Sequence, residues 1–252
     1  MNFKKKTTKD GFIYFTHKYF EHPKIVYGFF SKINFLDNTE NLNLICDNLN
    51  IKKSCLFRLK QTHSSKCINL DKVISKKSKI SYLYGDGMVT SLNDCALSIL
   101  TADCLPIFFV DTVKKIIGAC HAGWKGALSG IIENTLIEMQ KIGSNESDIR
   151  LIFGPSIKKE NYQISLDLNE KILNEWPSTM ICFSKDKKNF DKYLFDLTYF
   201  SELRAKNVGL CKNYIIDLDT YSNDDYFFSY RRSTKNGYIE RGRQISFIYQ
   251  KE

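Results

Sequence analysis

Residues 96–126, ALSILTADCLPIFFVDTVKKIIGACHAGWKG, decide the fold. Three apolar runs lie here almost end to end. Residues 96–100 and 106–111 read as strands that flank a sharp corner at Thr101, Ala102, Asp103 and Cys104, and residues 116–120 read as a third strand. Such short runs, bounded by turn residues, suit strands buried in a sheet core. The last strand leads into His121-Ala122-Gly123-Trp124-Lys125-Gly126, a turn that opens a helix over 127–142, whose Leu128, Ile131, Ile132, Thr135, Met139 and Ile142 follow the helical period.

Working outward, residues 25–30 and 55–59 read as strands, residues 40–49 as a helix, and Gly85-Asp86-Gly87 as a turn into a strand at 88–90. Downstream, strands are expected at 150–153 and 213–217 and helices at 166–176 and 197–208. Residues 226–230 and 244–249 read as a closing pair of strands, with Arg231, Arg232, Arg241 and Arg243 bracketing a hairpin. Strands and helices mix without a strict βαβ rhythm, which favours a mixed-sheet α/β or α+β sandwich over a doubly wound nucleotide fold. No repeat or low-complexity linker appears. The chain reads as one domain over 1–252, with 1–24 as an N-terminal extension that has room for an added strand.

The chain of 252 residues is 43% apolar and 26% charged, the balance of a soluble protein long enough to bury a core. No apolar run nears the roughly 20 residues that span a bilayer, and the lysine-rich start lacks the apolar stretch of a signal peptide. The expected address is cytoplasmic, with no membrane partner. A net charge of +9 raises the question of nucleic acid, but the lysines are scattered, and the reading is of no nucleic-acid partner. A basic surface still favours an anionic substrate. Eight cysteines without tight spacing or a secretion signal read as reduced thiols. A monomer or small homo-oligomer is expected.

The chemistry concentrates in Gln61-Thr62-His63-Ser64, in Cys104 and in His121, which hold two of the chain's four histidines. One thiolate and two imidazoles suit Zn²⁺ and leave a fourth position open, as in catalytic sites. Each lies at or just beyond the end of a strand-like run, where a sheet presents groups at one rim. The rival reading makes His63 a surface loop residue, His121 a satisfied core histidine and Cys104 inert filler. Asp103 and Asp86 are candidates to orient an imidazole or relay protons, with a turn-forming role as the rival for Asp86. Lys125, at a strand-to-helix turn, is a candidate for an anionic group. The arginines near the C-terminus either clamp phosphate or form a salt-bridged surface.

In order, Gln61-Thr62-His63-Ser64, Gly85-Asp86-Gly87-Met88-Val89-Thr90, Thr101-Ala102-Asp103-Cys104-Leu105-Pro106, His121-Ala122-Gly123-Trp124-Lys125-Gly126, Gly154-Pro155-Ser156-Ile157 and Phe228-Ser229-Tyr230-Arg231-Arg232 resemble the YfiH-type family, also called the multicopper polyphenol oxidase or laccase-domain family. The resemblance runs from about Tyr27 to Tyr249. It implies an α-β-β-α sandwich and a metal held by His63, Cys104 and His121, zinc first and copper second. It implies phosphorolysis of adenosine, inosine, guanosine or S-methyl-5'-thioadenosine, with adenosine deamination as a further activity, so the partners are a nucleoside and phosphate. His63, Cys104, His121 and Asp103 then form the catalytic set, and Lys32, Asp86, Lys125 and Arg243 the substrate-binding set. Two alternatives stand beside it: a hydrolase correcting misincorporated amino acids in cell-wall precursors, and a copper-dependent phenol oxidase, for which four histidines are few. Where the family has an arginine, this chain has Lys32, which keeps a charge and loses the bidentate fork. Asp219-Thr220 stands where the family has a Cys-Thr pair.

Overall fold

The computed structural model describes residues 1–32, 39–51, 56–75, 83–238 and 242–252. In chain order, β1 (Phe3–Thr7), β2 (Ile13–His17) and β3 (Ile25–Phe30) precede helix α1 (Thr39–Leu49). β4 (Leu56–Arg58), β5 (Cys67–Asn69) and α2 (Leu70–Ser75) follow. Next come β6 (Gly87–Thr90), β7 (Cys95–Thr101), β8 (Leu105–Asp111) and β9 (Ile116–Ala122), then α3 (Trp124–Leu128), α4 (Ile131–Gln140) and β10 (Ile149–Phe153). The remainder is β11 (Gln163–Ser165), α5 (Leu166–Glu175), β12 (Phe183–Lys185), β13 (Lys192–Phe195), α6 (Leu197–Asn207), β14 (Lys212–Ile215), α7 (Tyr230–Lys235) and β15 (Gln244–Gln250).

Among the described residues the strands form two six-stranded sheets, ordered β1-β2-β3-β15-β7-β4 and β14-β10-β8-β9-β6-β5, and a small sheet ordered β11-β13-β12. Both large sheets are mixed: β4 runs parallel to β7, β5 to β6 and β10 to β14. The sheets face one another across an apolar layer in which Phe29, Leu97 and Ile99 of one meet Phe108, Ile117 and Ile152 of the other. Phe29 and Phe108 stack with ring centroids 4.8 Å apart. Ile45 and Cys46 of α1 cover the outer face of the first sheet against Phe30, Ala96 and Phe247. Ile131, Leu136 and Met139 of α4 and Phe200 of α6 cover the second against Ile107, Phe109 and Cys120. The architecture is therefore an α-β-β-α sandwich, mixed α/β. With apolar neighbours on both faces, β8 and β9 are buried throughout, which is why they read as apolar runs without alternation.

The corner at residues 102–104 carries the chain from β7 in one sheet to β8 in the other, so it sits at one end of the sandwich. β8 and β9 pair so that Pro106 faces His121, which brings the end of β9 to the same rim.

Three expectations are corrected here. The helix expected over 127–142 is two: Gly130 adopts φ +94 and separates α3 from α4, and α3 starts earlier, at Trp124. Residues 226–230 form no strand. Ser229 instead caps α7, its hydroxyl accepting from the Arg232 amide, because a serine side chain satisfies a free N–H at a helix start. β15, with no hairpin partner, enters between β3 and β7. The N-terminal region supplies two strands, β1 and β2, beyond the edge of β3. Cys55 and Arg241 lie outside the described residues. None of the described cysteines is in a disulfide, and no helix is long and apolar enough to cross a membrane.

Candidate metal centre and cleft

His63 stands on the segment between β4 and β5, Cys104 opens β8 and His121 lies near the end of β9. Their donor atoms all fall within 4.8 Å of one another. Cys104 Sγ is 3.9 Å from His63 Nε2, and the two imidazoles meet edge to face with centroids 4.7 Å apart. Around a tetrahedral zinc, Zn–N of about 2.05 Å and Zn–S of about 2.3 Å place donors roughly 3.3–3.6 Å apart. The three side chains need only a small inward movement to meet that. Gly123 faces all three: a Cβ there would stand 3.0 Å from Cys104 Sγ and 3.1 Å from His63 Cδ2. Any side chain at 123 would crowd the donors, so the glycine keeps the space between them clear. The donor set and this clearance fit a zinc or copper ion with a position left for a small molecule.

Asp86 organises the centre from below. It is fully buried, and its carboxylate accepts from the backbone N–H groups of Thr62, His63 and Ser64 at 3.1, 3.0 and 2.7 Å. It also accepts from the Ser64 hydroxyl at 2.7 Å and pairs with His121 Nδ1 at 2.9 Å. Burial alone would raise its pKa, but these donors hold it well below the ordinary carboxylate range. An ionised carboxylate only accepts, so His121 holds a proton on Nδ1, and it is Nε2 that faces Cys104 and His63 and becomes a donor to a metal once its own proton leaves. The same bonds fix His63 at φ +59, in the left-handed region that a non-glycine residue occupies only when its surroundings hold it there.

Asp103, also in the left-handed region at φ +87, has a different task. Its carboxylate accepts from the Thr220 hydroxyl, the Ser229 hydroxyl and the Arg231 amide at 2.7, 3.0 and 2.7 Å. Burial pushes its pKa up against these bonds. It ties the start of α7 and the loop carrying Thr220 to the corner beside Cys104, and so builds a wall of the cleft. The imidazole-orienting role belongs to Asp86.

The three donors line an open cleft of about 1210 Å³, whose walls include Trp124, Ile157, Tyr162, Tyr230 and Tyr238. Arg243 lines it too. Lys32, Lys125 and Asp86 do not: Lys32 pairs with Asp224 at 3.3 Å, Lys125 lies over the Trp124 ring, and Asp86 is sealed beneath the histidines. Arg231 lines the cleft, but its guanidinium donates to the carbonyls of Asn161 and Gln163, and Arg232 donates to those of Thr220, Tyr221 and Phe227. Arg58, Lys60, Tyr162 and Tyr238 also reach the cleft. Of these, Arg58 had a signal in the sequence: Leu59 is apolar, and alternation turns its neighbours to the other face.

Burial raises the Cys104 thiol, but the two imidazoles outweigh it and bring it down to about 6. Burial lowers His121, yet Cys104 and Asp86 bring it up to about 9. Between those values the metal-free pair is thiolate and imidazolium. A cation that takes both donors must displace the His121 proton, so zinc binding at pH 7.5 is expected to release about one proton from this pair, with a further proton from Cys104 below pH 6 and a fading release above pH 9. Affinity should climb with pH over that window. Calorimetric zinc titrations in buffers of different ionisation heat measure the release, and heats independent of buffer at pH 7.5 would contradict it.

An α-β-β-α sandwich with an open thiolate–imidazole centre at one end defines a candidate metalloprotein. The chain belongs to the family described as multi-copper polyphenol oxidoreductase laccase, whose model matches residues 36–251. It is 30% identical over 197 residues to a purine nucleoside phosphorylase of Haemophilus influenzae, covering 78% of this chain and 77% of that one. It is also 30% identical to purine nucleoside phosphorylase YfiH of Escherichia coli, covering 76% and 72%. The fold matches the crystal structure of YlmD from Geobacillus stearothermophilus at a TM-score of 0.79 and 21% identity, over 95% of this chain and 96% of that one.

Proposed function

We propose that this chain is a zinc-dependent purine nucleoside phosphorylase. It cleaves adenosine, inosine, guanosine or S-methyl-5'-thioadenosine with phosphate, and it deaminates adenosine as a second activity. The observation that carries this reading is the convergence of His63, Cys104 and His121 at the floor of an open, aromatic-walled cleft. The names of the relatives supply the reaction class.

When bound, zinc would supply a Lewis acid at this corner. The chain's own residues do the rest. Asp86 fixes the tautomer of His121 and the position of His63. Asp103 holds the wall from which Tyr230 projects, and Tyr162 and Trp124 present aromatic faces for a purine. Ligand pockets commonly run from about 300 to 1,000 Å³, so this cleft has room for a nucleoside and phosphate together.

Copper suits the same three donors. A four-copper oxidase does not fit this chain. Its two remaining histidines are committed elsewhere: His17 Nδ1 accepts from the Tyr19 amide and His22 Nδ1 from that of Lys24.

Zinc-loaded protein incubated with adenosine and phosphate is expected to yield adenine and ribose 1-phosphate, with inosine as the deamination product. No product at any pH from acid to mildly alkaline would overturn the reading.

A further inference from the structure

We propose that Arg58 and Arg243 form a phosphate-group subsite on the β4–β15 side of the cleft. The inference rests on the phosphorylase reading for its substrate class, and on geometry for its position.

Both arginines line the same cleft as His63, Cys104 and His121. Neither guanidinium has a hydrogen bond or ion pair among the described residues, in contrast to Arg231 and Arg232, whose N–H groups are taken up by backbone carbonyls. Arg58 is half-buried on β4 all the same. A partly desolvated guanidinium with no acceptor gains most from an anion placed against it.

The strand order brings the two together. β7 lies between β4 and β15. Arg58 faces Ser98, and Ile245 faces Leu100. Leu59 belongs to the apolar layer between the sheets, whereas Ile245 and Phe247 belong to the outer layer. Alternation therefore sends Arg58 to the outer face, and Arg243, two residues before Ile245, to the same face. Two strand spacings across and four residues along put their Cα atoms about 16 Å apart, a span that two extended arginines with a phosphate between them can close. Lys60 lines the same stretch, with its ammonium over the Tyr84 ring.

The charge balance agrees. Among the described residues, the carboxylate lining the cleft is Asp103, which already accepts three hydrogen bonds, so no described carboxylate there neutralises the arginines. Fork-shaped donors recognise phosphate by paired N–H···O bonds. The phosphate group is either inorganic phosphate, the co-substrate, or the 5'-phosphate of a nucleotide substrate.

Calorimetric binding to the zinc-loaded protein distinguishes these sources, using inorganic phosphate, adenosine and 5'-AMP as probes. Arg58→Gln and Arg243→Gln should each weaken phosphate-group binding roughly tenfold, with adenosine binding unchanged. Lys141→Gln, on a distant helix surface, should change neither. Phosphate that binds alongside adenosine marks the co-substrate source. 5'-AMP that binds more tightly than adenosine, through the same arginines, marks the substrate's own phosphate. Thermal unfolding of each variant checks that it is folded. Inorganic phosphate and 5'-AMP binding equally well to wild type and both variants would overturn the subsite, as would a wild type that binds neither better than adenosine. Failure of the phosphorylase reading shows separately, as absence of ribose 1-phosphate from the wild type.

Discussion

Cys104→Ser protein is expected to lose zinc affinity by two to three decades and, with it, all measurable phosphorolysis, while its metal-free form stays folded. Structural zinc sites with four ligands bind with about 10–16 kcal/mol, so one ligand carries roughly 3 kcal/mol. Serine is nearly isosteric but stays protonated at neutral pH and offers a hard oxygen in place of a soft thiolate. The loss falls on binding because Cys104 is only half-buried and its sulfur contacts the two imidazoles. No core packing depends on it. His63→Ala, on an exposed segment, should act in the same direction. Zinc competition against a chromophoric chelator, with ribose 1-phosphate assayed in parallel, reads both quantities. A Cys104→Ser protein that retains stoichiometric zinc and normal turnover would remove the metal centre from the account.

How much of this was legible beforehand depends on the kind of signal. β7, β8 and β9 were readable because sheets on one side and helices on the other bury them throughout, leaving apolar runs bounded by turns. The α3–α4 break was not, since a single glycine inside a good helical period says nothing of its φ. The strands of the small sheet, β11 to β13, are three or four residues long, too short for alternation to show. Ser229 was read as part of a strand because capping is a property of one hydroxyl and the helix after it, and that helix is only six residues long. At the site, His63, Cys104 and His121 stood out because thiol and imidazole have few other uses at strand ends. The division of labour between the aspartates did not. Asp86 and Asp103 both sit at turns beside ligands, and which one faces His121 is decided by β6–β9 pairing, in which Gly87 meets Cys120. That register places Asp86 against His121, a contact between distant parts of the chain. The lysines were hard to place for a related reason: charge near a motif does not say which way the side chain leaves the backbone, and Lys32 pairs with Asp224 while Lys125 lies over the Trp124 ring, neither among the residues lining the cleft.

Asp86→Asn should therefore be the most damaging conservative substitution in the chain. The wild-type carboxylate faces donors on both oxygens: His63 N–H and His121 Nδ1–H on one, Thr62 N–H, Ser64 N–H and the Ser64 hydroxyl on the other. An asparagine has one oxygen. Whichever way the amide turns, its NH₂ confronts N–H groups that cannot accept. Each buried donor left without a partner costs about 1–3 kcal/mol, and the charge opposite the His121 imidazolium is lost as well, so a fall in unfolding free energy of about 3–5 kcal/mol is expected. The residues 62–64 then lose the bonds that hold His63 at its positive φ, and zinc affinity should drop roughly 10- to 100-fold even though all three ligands remain. The pH dependence follows from the depressed pKa of Asp86. Its folded value lies below the unfolded one, so its contribution is complete above the ordinary carboxylate range and is lost only as pH falls through the folded value, in strong acid. The part of the Asp86→Asn deficit that comes from the carboxylate's own titration should accordingly persist down to about pH 5 and close only in strong acid. Urea unfolding of metal-free protein across pH, beside zinc competition at pH 7.5, measures each effect. Equal stability and equal zinc affinity in the two proteins would mean that the histidines orient themselves and that Asp86 is only a turn residue.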